Sequence, residues 1–168
     1  MSPALLVAVA LLIPGVSADT FEIQAELQGL YDEISQATLQ VTTQSELDQF
    51  HGVLYTPDWA FTDAAGHTRT WADVREEAFR AVSAPRADSM TQPIRKVSVD
   101  ASGATVDVSV VIVRTLVDHE GKYGRSGDTH TLTDTTSFRD RWVKMSGAWK
   151  LKSRQQIGRP TELVDNPQ

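Results

Sequence analysis

Cysteine is absent from the 168 residues, which excludes disulfides, thiolate nucleophiles and cysteine-based zinc sites together. Histidine is scarce, and His51, His67, His119 and His130 never fall at a paired ligand spacing, so no metal centre is expected. Basic residues are outnumbered, 16 against 22 acidic ones, and the net charge of −6 argues against a nucleic-acid partner, whose phosphates need a basic surface. The chain has no glycine-rich phosphate loop and no Gly-x-Ser-x-Gly elbow, which removes phosphoryl transfer and covalent acyl chemistry. No cofactor is implied. Long apolar runs are missing too: Ala4 to Ile13 is unbroken, but it is well short of the about 20 residues that span a bilayer.

That run is followed by Pro14, Gly15 and Val16-Ser17-Ala18, the small-residue pattern of a signal-peptidase site. Residues 1–18 therefore read as a signal peptide cleaved near Ala18, leaving a secreted or periplasmic protein with no stable membrane anchor. Residues 19–157 form one domain, and 158–168, which show no periodicity, a flexible tail.

What is present is a long β-hairpin, Thr129 to Ile157, closed at Met145-Ser146-Gly147-Ala148, where Gly147 supplies a positive φ. Its register places Trp142 opposite Leu151, Lys144 opposite Trp149 and Phe138 opposite Gln155. One face then carries Phe138, Trp142, Trp149, Leu151 and Ile157 and must be buried. The other carries Arg139, Arg141, Lys150, Lys152 and Arg154, with Arg139 opposing Arg154 and Arg141 opposing Lys152. Like charges across a ladder repel, so an acidic neighbour is required.

Upstream, Ile23, Leu27, Leu30, Ile34 and Val41 recur at helical spacing from a cap at Asp19 or Thr20. Ser45 with Asp48 reads as the capping box of a second helix that stops before Pro57. Trp59 to Thr62 and His67 to Thr70 flank an Asp63-Ala-Ala-Gly66 turn, in which Asp63 caps the backbone. Thr70 with Asp73 caps a third helix carrying Trp71, Val74 and Ala78 on its apolar face. Beyond Pro93 the chain is strand-rich, with Ile94 to Val99 and Ala104 to Val117 around an Asp100-Ala-Ser-Gly103 turn and a loop from Asp118 to Asp128. This order is α+β, helices covering one face of an antiparallel sheet.

The run Tyr55-Thr-Pro-Asp-Trp-Ala-Phe-Thr-Asp63, then Gly66, Trp71-Ala-Asp-Val-Arg75, and the ending Arg141-Trp-Val-Lys144 to Gly147-Ala-Trp-Lys-Leu151, resembles the nuclear transport factor 2-like superfamily in its SnoaL-like, ketosteroid isomerase-like branch. The resemblance spans roughly residues 20 to 157. It implies a cone of curved antiparallel sheet wrapped around three N-terminal helices, a pocket at the wide end, and often a homodimer through the sheet. For activity it leaves two classes open: binding of a small apolar molecule without catalysis, or a cofactor-independent isomerase, lyase or cyclase.

Pairing Ala104–Val117 with Thr129–Arg141 about a loop centred near Tyr123 sets Val108 against Phe138, Ile112 against Asp134, Leu116 against His130 and Asp107 against Arg139. Arg114 then lies diagonal to Asp134, about 7–8 Å away between backbones, within a guanidinium's reach. On this reading Asp134 and His130 are candidate acid/base groups. Arg114, Trp59, Phe61, Tyr31, Phe138 and Trp142 are candidate ligand contacts. The competing reading is a closed Arg114–Asp134 salt bridge and aromatic core packing.

Overall fold

The structure, a computed structural model, describes residues 18–83 and 86–165. The expected signal peptide lies outside the described residues apart from Ala18, where the first helix begins.

Helix α1 (Ala18–Gln40) buries Leu27, Tyr31 and Ile34. Helix α2 (Gln44–Leu54) starts at Thr43, not Ser45. The Thr43 hydroxyl accepts from the Glu46 N–H at 3.2 Å, and the Glu46 carboxylate accepts from the Thr43 N–H at 3.1 Å. That reciprocal box satisfies two orphan donors, which Ser45 and Asp48 cannot do from inside the first turn. Asp48 instead ties α2 to α3 (Trp71–Ser83), accepting from Trp71 Nε1 at 2.9 Å and pairing with Arg75 at 2.7 Å. The Thr70–Asp73 cap forms as expected, at 2.7 and 2.8 Å.

The sheet is curved and unclosed. Its strands are β1 (Tyr55–Thr62), β2 (Thr68–Thr70), β3 (Ser89–Thr91), β4 (Ile94–Asp100), β5 (Gly103–Val117), β6 (Thr129–Met145), β7 (Ala148–Gln156) and β8 (Thr161–Asp165), and the main path runs β2-β1-β7-β6-β5-β3. Every pair is antiparallel except β1 with β7, which is parallel and makes the sheet mixed. The β5–β6 register runs from Ala104↔Trp142 to Val117↔Thr129 as the sequence required. Asp107 meets Arg139 on the outer face at 2.7 and 3.1 Å, Arg141 meets Asp100 at 2.7 and 2.8 Å, and Lys152 meets Asp58 at 3.1 Å.

Two expectations need correction. Strand β7 follows the expected register only from the turn to Trp142↔Leu151; a bulge at Lys152 then pairs Arg141 with Ser153, Asp140 with Arg154 and Phe138 with Gln156. One extra residue reverses the facing of everything beyond it. The expected Arg139–Arg154 and Arg141–Lys152 oppositions do not form, and Arg154 turns into the cone. The segment expected to be a flexible tail also contains β8, which pairs with Thr131–Thr135 of β6. Five residues are too few for alternation to be legible, and what holds them is the free edge that β6 offers where β7 has ended.

The core lies between α1 and the concave face of β4–β7: Leu27, Tyr31, Ile34, Val106, Val108, Trp142 and Leu151.

Candidate functional site

A cavity of about 260 Å³ opens between α2, α3, β1 and the concave sheet. Its wall is aromatic because three elements each contribute side chains at their natural period. Strand β1 presents Trp59 and Phe61 by alternation and Tyr55 from its first residue, before an irregularity in the strand; α2 presents Phe50 and His51, and α3 contributes Trp71 from its first turn. The His51 ring stacks with Tyr55 at 4.2 Å and with Trp71 at 4.0 Å between centroids, and meets Trp59 edge-on at 5.3 Å. Phe61 and Phe138 sit 6.4 Å apart across the sheet.

Burial among these rings lowers the His51 pKa to about 4, only partly opposed by Asp48, so the imidazole is neutral at physiological pH. Its Nε2 and the Trp59 Nε1 are buried without a hydrogen-bond partner among the described residues.

Beneath the aromatic wall lies a chain of polar contacts. Trp142 Nε1 donates to the Tyr31 hydroxyl at 2.8 Å, and that hydroxyl donates to Asp140 at 2.7 Å. Asp140 receives Arg154 Nε at 2.8 Å and Nη2 at 2.6 Å, a bidentate pair. Nη2 also reaches Gln92 Oε1 at 3.2 Å, and Gln92 Nε2 donates to Ser35 at 3.2 Å. Burial opposes the Arg154 charge, but the Asp140 carboxylate outweighs it and holds the guanidinium's pKa above its ordinary value. The Tyr31 pKa rises well above the usual phenol range, first from burial and then from the charge of Asp140.

The structure distributes the sequence candidates between three places. Trp59, Phe61 and Phe138 line the cavity. Tyr31 and Trp142 lie in the core below it, 5.4 Å apart in edge-to-face contact. Arg114, His130 and Asp134 are not among the residues that line it. Arg114 is bonded to Asp134 and to the Ala81 carbonyl, fastening the last turns of α3 to the sheet. His130 is 1% exposed under the Asp118–Asp128 loop, 5.9 Å from the Tyr123 ring, with both ring nitrogens unpartnered among the described residues. Asp63 is occupied by its turn, accepting from Ala65 and His67 N–H at 2.9 Å each.

Sequence reasoning missed Asp140, although it alternates with Phe138 and Trp142 on the inward face and was legible there. His51 carried no motif, and its place is set by the packing of α2 on α3. Arg154 was concealed by the bulge. Among the described residues no cluster of His, Asp and Glu could hold a metal ion, and no helix is long and apolar enough to cross a membrane.

No family model matches the sequence, and no curated protein matches it. Solved structures do. The Kfla4162 protein of Kribbella flavida shares 15% identity at a TM-score of 0.54, over 88% of this chain and 94% of that one. A type 2 hexachlorocyclohexane dehydrochlorinase (LinA) shares 14% at 0.54, over 86% and 91%. A LinA type 3 enzyme of Novosphingobium barchaimii shares 15% at 0.53, over 86% and 92%. At such identities the likeness is one of fold, and the fold is that of the nuclear transport factor 2-like proteins, a curved, unclosed sheet wrapped on helices.

Proposed function

We propose that the protein binds a small, flat, largely apolar molecule in the cone cavity and holds it without chemical change. The observation that carries this reading is the aromatic wall combined with the state of the ionisable groups in it. Arg154 is committed to Asp140, Arg69 is paired with Glu77 at 2.8 Å, and His51 is neutral. A volume of about 260 Å³ falls just below the roughly 300–1,000 Å³ of drug-sized sites, so the ligand is small. Flat molecules suit offset stacking on the exposed ring faces.

A second reading is proton transfer of the isomerase, lyase or cyclase type, the fold being shared with a dehydrochlorinase. The observation in its favour is the Nε2 of His51, a base of the lining with no hydrogen-bond partner among the described residues. A base with a pKa near 4 is mismatched to proton abstraction at neutral pH, which ranks this reading second.

Native mass spectrometry of the purified protein, followed by extraction and identification of what it retains, tests the first reading. Incubating the identified compound with fresh protein then separates the two: unchanged recovery supports binding, and a product supports catalysis. The signal-like segment extends the proposal to an exported protein processed near Ala18, which N-terminal sequencing of exported material would check. A homodimer through the outer sheet face also belongs to the proposal, and sedimentation would test it.

A further inference from the structure

Exposure marks the mouth of the cavity. Every residue that lines it is buried or half-buried except Glu77 and Ala81, which stand one turn apart on the same face of α3. The opening therefore runs along that edge of the helix. Its two ends are held differently. The Ala81 carbonyl accepts from Arg114, which is also bonded to Asp134 and whose side chain is only 10% exposed. Glu77 pairs with Arg69 of the edge strand β2 at 2.8 Å, and these two side chains are 63% and 32% exposed.

The exposed pair is the easier of the two to part. An ion pair in contact with water gains little over its separately hydrated ions, and salt screens what it gains. Arg69 is also poorly satisfied where it lies. Its guanidinium sits over the Phe61 ring, 5.2 Å from the centroid, and its Nε is buried without a partner among the described residues. Swinging the side chain outward hydrates that nitrogen, which offsets the lost bond to Glu77. Phe61 and Arg69 are partners across β1 and β2, so the departing guanidinium uncovers a ring of the cavity wall.

Resting on the binding function proposed above, we infer that Arg69 and Glu77 form a strap that gates the cavity, with the Arg114 anchor at Ala81 as the fixed end of the mouth. The strap sets how fast a molecule enters and leaves, not how tightly it is held. A bond made equally over an empty and an occupied cavity has no differential affinity for the two states, so it moves both rates together.

The test follows the fluorescence of N-phenyl-1-naphthylamine, an uncharged probe, by stopped flow with the full chain. Glu77→Gln should raise the entry and release rates together by about two- to fivefold, the scale of one exposed ion pair, with the dissociation constant kept within about twofold. Raising sodium chloride from about 10 to about 500 mM should speed the wild type in the same way and leave Glu77→Gln unmoved, because screening weakens a bridge that the variant lacks. Exchanging the charges, Arg69→Glu/Glu77→Arg, should return both rates to within about twofold of wild type. Faster release without faster entry would overturn the inference, since the pair would then be a contact to the bound molecule. Rates that stay fast after the charge exchange would overturn it as well. Unchanged rates in Glu77→Gln would place the mouth elsewhere and overturn it while leaving the pocket reading intact. A probe that fails to bind the wild type would remove both.

Discussion

His51 and Asp134 illustrate how the surroundings of a side chain, more than its identity, fix what it can do. The folded His51 takes up its proton only near pH 4, whereas in the unfolded chain it does so near 6.5. Between those values the unfolded state binds more protons, so this residue's contribution to stability is complete above pH 6.5 and is lost as pH falls through that window. His51→Gln should flatten that part of the pH–stability curve, measured by thermal melting from pH 7 to about 4; an unchanged slope would mean that the imidazole is not shielded. Asp134 is a different case, 34% exposed against 10% for Arg114. Asp134→Asn should cost about 1–3 kcal/mol, below the full penalty of a completely buried pair, and adding Arg114→Met should recover much of it. Should Asp134→Asn match the wild type with no rescue in the double variant, Arg114 would have to be solvated. The β5–β6 register made Arg114, Asp134 and His130 look like one site on the inward face. That none of them lines the cavity depends on where α3 ends and how the Asp118–Asp128 loop closes, neither of which leaves a periodic mark.

At the scale of the strand, the hairpin turns and the β5–β6 pairing were legible because alternation allows only one register that buries Phe138 and Trp142. The Ser146-Gly147 turn has φ of 52° and 84°, so Ser146 too occupies the left-handed region. Asn is at ease there, and Ser146→Asn should stabilise by about 0.5–1 kcal/mol, a part of the roughly 1–2 kcal/mol that this region costs an ordinary residue. Gly103 carries the opposite constraint: at φ 149°, an added Cβ would stand 2.0 Å from the Trp142 carbonyl oxygen. Gly103→Ala should therefore cost about 3 kcal/mol, read from urea melts; a near-neutral result would mean that β5 and β6 can separate locally at little cost. The bulge was not legible. Lys152 is one polar residue in the run Lys150-Leu-Lys-Ser-Arg154, and either facing of the residues after it satisfies alternation equally well. What selects the bulged form is the partner it creates, because Asp140 is already fixed inward by Phe138 and Trp142 and needs a cation opposite.

Across the whole molecule, that pair is where the helical layer meets the sheet. Tyr31 of α1, Asp140 of β6, Arg154 of β7 and Gln92 before β4 share one connected set of hydrogen bonds, with Asp140 at 0% exposure. A set like this could serve stability or could serve the cavity, and double-variant energetics separate the two. Removing one member strands a charge in the interior, so Asp140→Asn or Arg154→Met alone should cost about 3–5 kcal/mol. The two together leave no charge behind, and replacing a buried ion pair by neutral groups of similar volume is often neutral or stabilising. The double variant should therefore recover most of the loss in urea unfolding. Stability restored together with weaker retention of whatever the cavity binds would mean that the pair is kept for what Arg154 contributes to the lining. A double variant as unstable as the worse single one would instead assign the network to the joint between α1 and the sheet, with Arg154 meeting the cavity only as a consequence of its packing.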